Sequence, residues 1–386
     1  MSGRSIIPPF SAPRRWRCRG SALLEAMHPS EETEESREGT AAHELAARFI
    51  DYLRRGIVIG FYSDWVGQTA SNGVVWDRDA YEGALMYARD VQEVMKRTGN
   101  FTPHVEQRVS MPRIHPESRG TPDCWLYDER GRTLYIWDYK HGHGVVEVWD
   151  NKQLIEYLAG ILDAEGIDGL MEQELAVVFT IVQPRAYHRD GPIRRWTDNV
   201  AELRGRINQL SAVEHECLGG DVTTTAGAEQ CRDCSARYVC DTLAVAAGRA
   251  LEYIGHAEQT LTDPRSVSVE LQILAEAEGL IKARRTGLEA QAEAIIRRGE
   301  SVPGWSLQAG QGRTEWSIPA AELFTIGDLI GVDLRKEPKP ITPNQAKLAG
   351  VDESVISRYS EKKPGELKLV RTDDGLPARV FTNRSS

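Results

Sequence analysis

The sequence lacks the features that mark membrane-spanning, secreted or wholly disordered chains. Its 386 residues contain no run approaching the ~18–20 apolar residues that a membrane helix needs. Residues 1–10 show no apolar run followed by a small-residue cleavage site, so we expect no secretory signal and a cytoplasmic protein. Hydrophobic residues make up 41% and charged residues 27% of the chain, which is typical of soluble globular proteins and excludes disorder along its whole length.

An excess of basic residues is also absent. The formal net charge is −10, whereas a protein that works only by coating nucleic acid is usually basic. The overall charge therefore argues against that role, although it leaves room for an enzyme with a local basic groove.

Cysteine is scarce, and half of it is clustered. Six cysteines in 386 residues are too few for a disulfide scaffold, and in a reducing cytosol clustered cysteines indicate metal ligation first. Cys231, Cys234 and Cys240 fall within ten residues and are one thiolate short of a closed tetrahedral set. Cys18 is the best candidate for the fourth ligand, and Cys217 remains a rival. We expect Cys124, beside Asp123, to pack in the core.

Hydrophobic periodicity predicts a mixed α/β fold with a central sheet flanked by helices. Helices are expected from Thr40 as N-cap to Leu53, and over 79–98, 149–162 and 197–210. Strands are expected over 104–111, 123–127, 133–139 and 175–184, with a turn at Gly131. The composition changes after Cys240, and we predict two domains, residues 1–254 and an accessory region 255–386 that is helical and then irregular α/β.

Three polar segments converge on this predicted sheet. Asp123 opens one strand in Gly-Thr-Pro-Asp, and Asp138 closes the next in Asp-Tyr-Lys, with Lys140 on the same face as Asp138. Glu106 lies on the preceding strand. Two converging carboxylates repel each other unless a cation lies between them, and Mg²⁺ or Mn²⁺ suits oxygen ligands. The set predicts metal-assisted hydrolysis of a phosphodiester; a pair of surface acids with a salt-bridged lysine is the alternative.

These motifs resemble those of the PD-(D/E)XK nuclease superfamily. Two further segments match its RecB-like branch: GTAAHELA at 39–46, which contains His43, and QLIEY at 153–157. The resemblance covers about residues 16–245 and implies a restriction-endonuclease-like core. VPGW at 302–305 and KPGELKLV at 363–370 are similar to segments of phage-encoded relatives, which implies a phage gene and the cytoplasm of a bacterial host.

The resemblance implies a role for each matching residue. Asp123, Asp138 and the backbone carbonyl of Tyr139 would bind the metal, with His43 as a further ligand to the metal or its water. Lys140 would be the catalytic lysine, and Glu106 a second-metal or orienting residue. Gln153 and Tyr157 would contact the DNA backbone or brace the site. An ordinary helix face that packs on the sheet is the alternative for Gln153 and Tyr157.

The cysteines resemble the iron–sulfur ligands of AddB-type nucleases and of those used in CRISPR spacer acquisition. In those enzymes one cysteine before the core and three after it hold a 4Fe–4S cluster. The resemblance assigns Cys18, Cys231, Cys234 and Cys240 to such a cluster, and Zn²⁺ is the alternative. A cross-link between the two ends of the core would restrict the unfolded chain strongly.

An N-terminal segment mixes an aromatic residue with arginines. Arg15, Trp16 and Arg17 suit a single strand or a frayed DNA end by stacking and charge, and a solvated basic arm is the alternative. The sequence contains no G-x-x-x-x-G-K-[ST] motif, so unwinding would require a partner helicase.

Together these features predict a Mg²⁺- or Mn²⁺-dependent deoxyribonuclease. We expect an exonuclease of recombination, repair or replication that acts on single-stranded DNA or duplex ends. An annealing protein or a single-strand-binding protein is a further candidate partner, and oligomerisation is left open. The alternatives are a non-catalytic DNA-end-binding or replisome-associated module and a site-specific endonuclease.

Overall fold

The computed structural model describes residues 6–30, 32–220, 222–255, 263–307 and residue 354. The chain divides into two compact units, residues 1–292 and 293–386. Within the second unit a bridge pairs Val302 with Trp305, while the KPGELKLV segment lies outside the described residues. The predicted domain boundary between residues 254 and 255 stays a prediction. Among the described helices, none is long and apolar enough to cross a bilayer.

Ten α-helices lie in the described part of the chain. They are α1 (Ala12–Arg17), α2 (Ser21–Met27), α3 (Glu34–Arg54), α4 (Arg78–Thr98), α5 (Lys152–Ala164), α6 (Leu170–Gln173), α7 (Val200–Leu218), α8 (Ala228–Arg232), α9 (Asp241–Gly255) and α10 (Pro264–Arg297).

Seven strands within the described residues form two sheets. They are β1 (His104–Val105), β2 (Val109–Ser110), β3 (Arg119–Gly120), β4 (Cys124–Asp128), β5 (Thr133–Tyr139), β6 (Ala176–Val182) and β7 (Ile193–Asn199). The main sheet has the order β1-β4-β5-β6-β7, and β2 pairs with β3 in a small second sheet. In the main sheet as described, only β5 and β6 pair in parallel, and α5 lies in the connection between these strands. The predicted mixed α/β fold is confirmed.

Period-two alternation along β5 separates the two faces of the sheet. Trp137 and Tyr139 are buried with α3 and α4 on one face. Leu134 and Ile136 are buried with α5 and α7 on the other face. Asp138 shares the side of Leu134 and Ile136, so its carboxylate faces α5.

The sequence expectations about element bounds are wrong at α3 and over residues 104–111, and a third is wrong at β7. Helix α3 begins at Glu34, because Thr33 caps it by accepting a hydrogen bond from the Ser36 amide; Thr40 lies inside the helix, and its hydroxyl donates to the Ser36 carbonyl. The strand predicted over 104–111 is two short strands, β1 and β2, because Glu106 between them has a positive φ of 48°.

Strand β7 occupies the place where a helix was expected to begin. Helix α7 starts only at Val200, after Asn199 caps it by accepting from the Ala201 amide. The alternation in β7 is weak, since two arginines and an aspartate interrupt its apolar residues.

Candidate active site

Asp123 and Asp138 are neighbours at the end of the sheet where β4 and β5 pair. Cys124 lies opposite Trp137 in the antiparallel register, so Asp123, just before β4, falls opposite Asp138. The Tyr139 amide donates to Asp123 Oδ2 at 2.6 Å. The predicted antiparallel neighbourhood of the two motifs is therefore present, and Asp123 is anchored by a backbone hydrogen bond.

His43 and Glu106 complete an acidic group around Asp123. His43 Nδ1 lies 3.3 Å from Asp123 Oδ1 and 3.5 Å from Glu106 Oε1. One ligand atom from each of the three residues lies within 4.8 Å of the others. An imidazole and two carboxylates at this spacing can hold a divalent cation. The positive φ of Glu106 turns the chain beside Asp123, whose carbonyl accepts from the Glu106 amide at 3.0 Å.

Asp138 faces Lys140 and Gln153. Lys140 Nζ donates to Asp138 Oδ1 at 3.0 Å, and Gln153 Nε2 donates to the same oxygen at 3.1 Å. Lys140 Nζ also donates to Gln153 Oε1 at 3.2 Å. Asp138 Oδ2 is buried, lies 3.0 Å from Lys140 Nζ, and accepts no hydrogen bond from any described residue. It therefore keeps lone pairs for a further partner.

The pKa values of the two aspartates shift in opposite directions. Burial raises the pKa of Asp138 to about 6, with Lys140 opposing and Asp123 reinforcing the shift. Burial acts in the same direction on Asp123, yet the charges of His43 and Lys140 lower its pKa. Burial of His43 is outweighed by Asp123 and Glu106, which raise its pKa to about 10. In the metal-free protein these carboxylates therefore hold His43 protonated, and a cation bound there would displace that proton.

Gln153 and Tyr157 are buried braces of this site. Gln153 is 9% and Tyr157 6% exposed, and Gln153 Nε2 lies 3.3 Å from the Tyr157 hydroxyl. Their spacing on α5 places both beneath Asp138 and Lys140. Of the two predicted roles, bracing fits this burial better than contact with a DNA backbone. The Tyr139 ring packs against His43 and stacks on Tyr87; its carbonyl as a metal ligand stays a prediction.

Arg15 does not lie where it could contact DNA. Its side chain is fully buried, with Nε 2.6 Å from Glu214 and Nη2 3.1 Å from Glu156. Burial raises the pKa of Glu156 well above its usual range. This acid and Glu214 hold the guanidinium inside the protein, so the expectation that Arg15 binds DNA is replaced by a structural role. Trp16 is half-buried with Lys152 over its ring at 5.0 Å, and Arg17 is exposed and pairs with Glu229.

Cys18, Cys231, Cys234 and Cys240 line one small cavity of about 20 Å³. The Thr225 amide donates to Cys18 Sγ at 3.2 Å. Burial raises the pKa of the Cys18 and Cys231 thiols, and raises that of Cys234 to about 12. Four cysteines from two segments that are distant in sequence thus line one cavity. Cys217 lies elsewhere, buried with Ile7, Ala22 and Val213.

Sequence reasoning missed two residues that support the site. Glu156 is fully buried on α5, between Gln153 and Tyr157, and pairs with Arg15. Its signal was an acidic residue within an apolar helix. Gln183, just after β6, is also buried and hydrogen-bonds the loop that follows Lys140. No local pattern marked Gln183, since its partners are distant backbone groups.

Comparison with known proteins gives one family match and a weak structural likeness. A solved structure titled "Crystal structure of SSO0001" is 13% identical, covers 60% of this chain and 95% of its own, and has a TM-score of 0.25. A likeness of this strength carries no argument about function. Residues 6–375 match the family described as "Protein of unknown function (DUF2800)", and the chain therefore belongs to that family.

Proposed function

We propose that the chain is a metal-dependent DNA nuclease that hydrolyses phosphodiester bonds. The observation that carries the proposal is the joint placement of Asp123 and Asp138, with His43 and Glu106 on one side and Lys140 on the other. The resemblance of the Gly-Thr-Pro-Asp, Asp-Tyr-Lys, histidine and QLIEY segments to RecB-like nucleases supports the same reading.

The donor set fits Mg²⁺ or Mn²⁺. His43, Glu106 and Asp123 form the group with ligand spacing, and Asp138 offers the buried Oδ2 without a hydrogen bond from the described residues. Oxygen-rich sites with an imidazole suit these ions. A bound divalent ion supplies charge that acidifies water and neutralises phosphate.

The protein's own side chains position the reactants. Asp138 and Asp123 raise the pKa of Lys140 against the effect of burial, so its ammonium group is charged and can stabilise developing charge on a phosphate. Gln153 holds Lys140 and Asp138 in fixed relation through two hydrogen bonds. This preorganisation lowers the reorganisation needed during reaction.

We propose in addition that the four cysteines hold a 4Fe–4S cluster, with Zn²⁺ as the alternative. The buried thiols of Cys18, Cys231 and Cys234 stay neutral unless a cationic group stabilises the thiolates. The cavity joins the segment around Cys18 to the segment 231–240. A bound group would therefore act as a cross-link between sequence-distant segments.

The reaction proposed is exonucleolytic, because the resembling enzymes with this cysteine pattern trim DNA ends. Action on single-stranded DNA or duplex ends in recombination, repair or replication is part of the proposal. So are a cytoplasmic location, a phage origin, and a helicase, annealing protein or single-strand-binding protein as partner.

The test is a cleavage assay on linear single-stranded, linear duplex and closed circular DNA with Mg²⁺ or Mn²⁺. Wild type should shorten the linear substrates, while Asp138→Asn and Lys140→Ala should not. Asp168→Asn is the matched control, because Asp168 is exposed and distant in sequence from the site. Equal inertness of wild type and variants would favour the DNA-end-binding module, and cutting of the closed circle would favour an endonuclease.

A further inference from the structure

Two loops beside the candidate active site are joined through one buried side chain. Gln183 is 1% exposed. Its Nε2 donates to the carbonyls of Gly142 at 3.0 Å and Gly144 at 2.7 Å. Its Oε1 accepts from the Val146 amide at 3.1 Å and from Arg194 Nη2 at 2.8 Å. The amide thus uses both donors and both lone pairs, and it ties the loop after β5 to the loop between β6 and β7.

These paired loops (residues 141–151 and 183–192) follow the neighbouring strands β5 and β6, at the end of the sheet where Lys140 lies. The first loop continues directly from Lys140, whose amide donates to the Val182 carbonyl at 2.9 Å. The second loop carries Arg185, whose Nη1 lies 3.6 Å from Glu38. Glu38 belongs to α3, the helix that also carries His43. The paired loops are therefore connected to Lys140 and to the helix that carries His43.

The paired loops expose aromatic and cationic groups to solvent. Tyr187 is 86% and Trp149 65% exposed, and the Arg189 side chain is 89% exposed. The Tyr187 ring is almost entirely exposed, so packing against the described residues does not account for an aromatic side chain at this position. Exposed aromatic faces beside a guanidinium group suit stacking on bases.

Net charge contributes less than stacking on this surface. Glu147 lies 3.5 Å from His188, and Asp190 lies 3.7 Å from Arg189. These acids offset part of the positive charge, so the attraction of a polyanion to the surface is modest. The aromatic rings are then the larger source of affinity.

We propose that the paired loops bind a single DNA strand next to the acidic site. Tyr187 and Trp149 stack on its bases, and Arg189 meets its backbone. A duplex hides its base faces within its own stack, whereas a single strand presents them. This inference rests on the proposed nuclease function and adds the surface that selects the form of the substrate.

The test is fluorescence anisotropy of a fluorescein-labelled 20-nucleotide single strand with the full-length chain in EDTA, which prevents cleavage. Tyr187→Ala should weaken binding about tenfold, in line with one lost base stack. Tyr187→Phe should bind as wild type, because the ring is retained. Arg189→Ala should weaken binding a few-fold and reduce the salt slope by about one. Arg130→Ala is the matched control, since Arg130 is exposed in the turn at the opposite end of β5.

The outcomes separate this inference from the nuclease proposal. Wild-type affinity in Tyr187→Ala, or equal weakening in Tyr187→Ala and Tyr187→Phe, overturns the stacking role. Equal weakening for the single strand and its duplex overturns strand selectivity. If wild type cleaves DNA and Tyr187→Ala binds as tightly, this inference fails and the nuclease stands. If wild type binds through Tyr187 and never cleaves, the surface stands and the nuclease fails. Wild type that neither binds nor cleaves overturns both.

Discussion

The acidic site and the cysteine cavity balance their charges in different ways. At the acidic site, His43 and Lys140 lie within 3.3 Å and 3.0 Å of the carboxylates of Asp123 and Asp138, and hydrogen bonds from Gln153 and the Tyr139 amide add to this. In the cysteine cavity, burial raises the pKa of the Cys18, Cys231 and Cys234 thiols and keeps them neutral. The acidic geometry is therefore set by the protein, while thiolates in the cavity require a bound cation.

The largest expected effect tests how the charge of Lys140 balances that of Asp138 in the acidic site. Lys140→Met should reduce DNA cleavage about 10²–10⁴-fold, the range for losing a positioned catalytic group. It should also destabilise the fold, because Asp138 must then hold a buried charge without its cation or take up a proton, and both cost free energy. Cleavage rates and urea unfolding measure the two effects.

Two further variants sharpen this result. Lys140→Met combined with Asp138→Asn should recover stability without recovering cleavage, since the unpaired charge is gone. Lys96→Met, at an exposed position on α4, should change neither quantity. Full cleavage by Lys140→Met would remove Lys140 from the proposed reaction.

The next effect tests whether the cysteine cavity depends on what it binds. Cys231→Ala should lower the free energy of unfolding by about 4 kcal/mol, as expected for loss of a cross-link that closes a long loop. The purified variant should also lose iron, or zinc, together with any visible absorption. Metal analysis and urea unfolding provide the measurements.

Cys217→Ala is the matched control for this change. Its sulfur is equally buried but packs with apolar side chains outside the cavity, so only about 1 kcal/mol should be lost. Equal losses in the two variants, with metal content unchanged, would show that the cavity is simply part of the core.

A third change tests Arg15, which connects the segment of Cys18 to the helix that carries Gln153. Arg15 precedes Cys18 by three residues and pairs with Glu156 on the helix that carries Gln153. Arg15→Met should destabilise the protein by about 3–5 kcal/mol, because it leaves two buried carboxylates without their cation. Arg17→Met, at an exposed ion pair, should stay within about 0.5 kcal/mol. A stable Arg15→Met protein with weaker DNA binding would restore the original expectation from the sequence.

The smallest effect concerns the divalent cation itself. Mg²⁺ or Mn²⁺ at a hundredfold excess over its Kd should add about 2.7 kcal/mol to the free energy of unfolding. EDTA should remove only this increment, because the acidic site is balanced without the ion. Thermal unfolding of wild type, Asp123→Asn and Asp168→Asn would measure it, and Asp123→Asn should show no increment. If EDTA unfolded the whole protein, the acidic site would depend on a bound cation in the same way as the cysteine cavity, and the contrast between the two sites would be wrong.

Strong local patterns were enough to predict several elements. Strand β5 runs over Thr133–Tyr139 as expected, and α4 begins one residue before its predicted start. Where the local pattern misled, a single hydrogen bond or dihedral angle decided the outcome. The capping bond to Thr33 moved the start of α3, and the positive φ of Glu106 divided the expected strand. Strand β7 was missed because its arginines obscure the alternation.

In the candidate site, too, some features followed from local sequence and others depended on distant packing. The facing of Asp123 and Asp138 followed from a turn at Gly131 and antiparallel register, which are local. The meeting of His43 with Glu106 depends on how α3 packs against the sheet. The burial of Arg15 depends on Glu214, 199 residues away in the chain, so its neighbours in sequence indicated an exposed basic arm.

Residue types and their spacing determined the mixed α/β class, the pairing of the two aspartates with a lysine, and the clustering of three cysteines. The resemblance implied that His43 and Glu106 join Asp123 and that Cys18 joins the other three cysteines, but only the tertiary structure brings these side chains together. That Gln183 ties two loops together was decided by folding alone. The physical reason is that strand register and helix periodicity act over a few residues. The energy of a buried charge or hydrogen bond, in contrast, depends on partners that only the packed chain brings near.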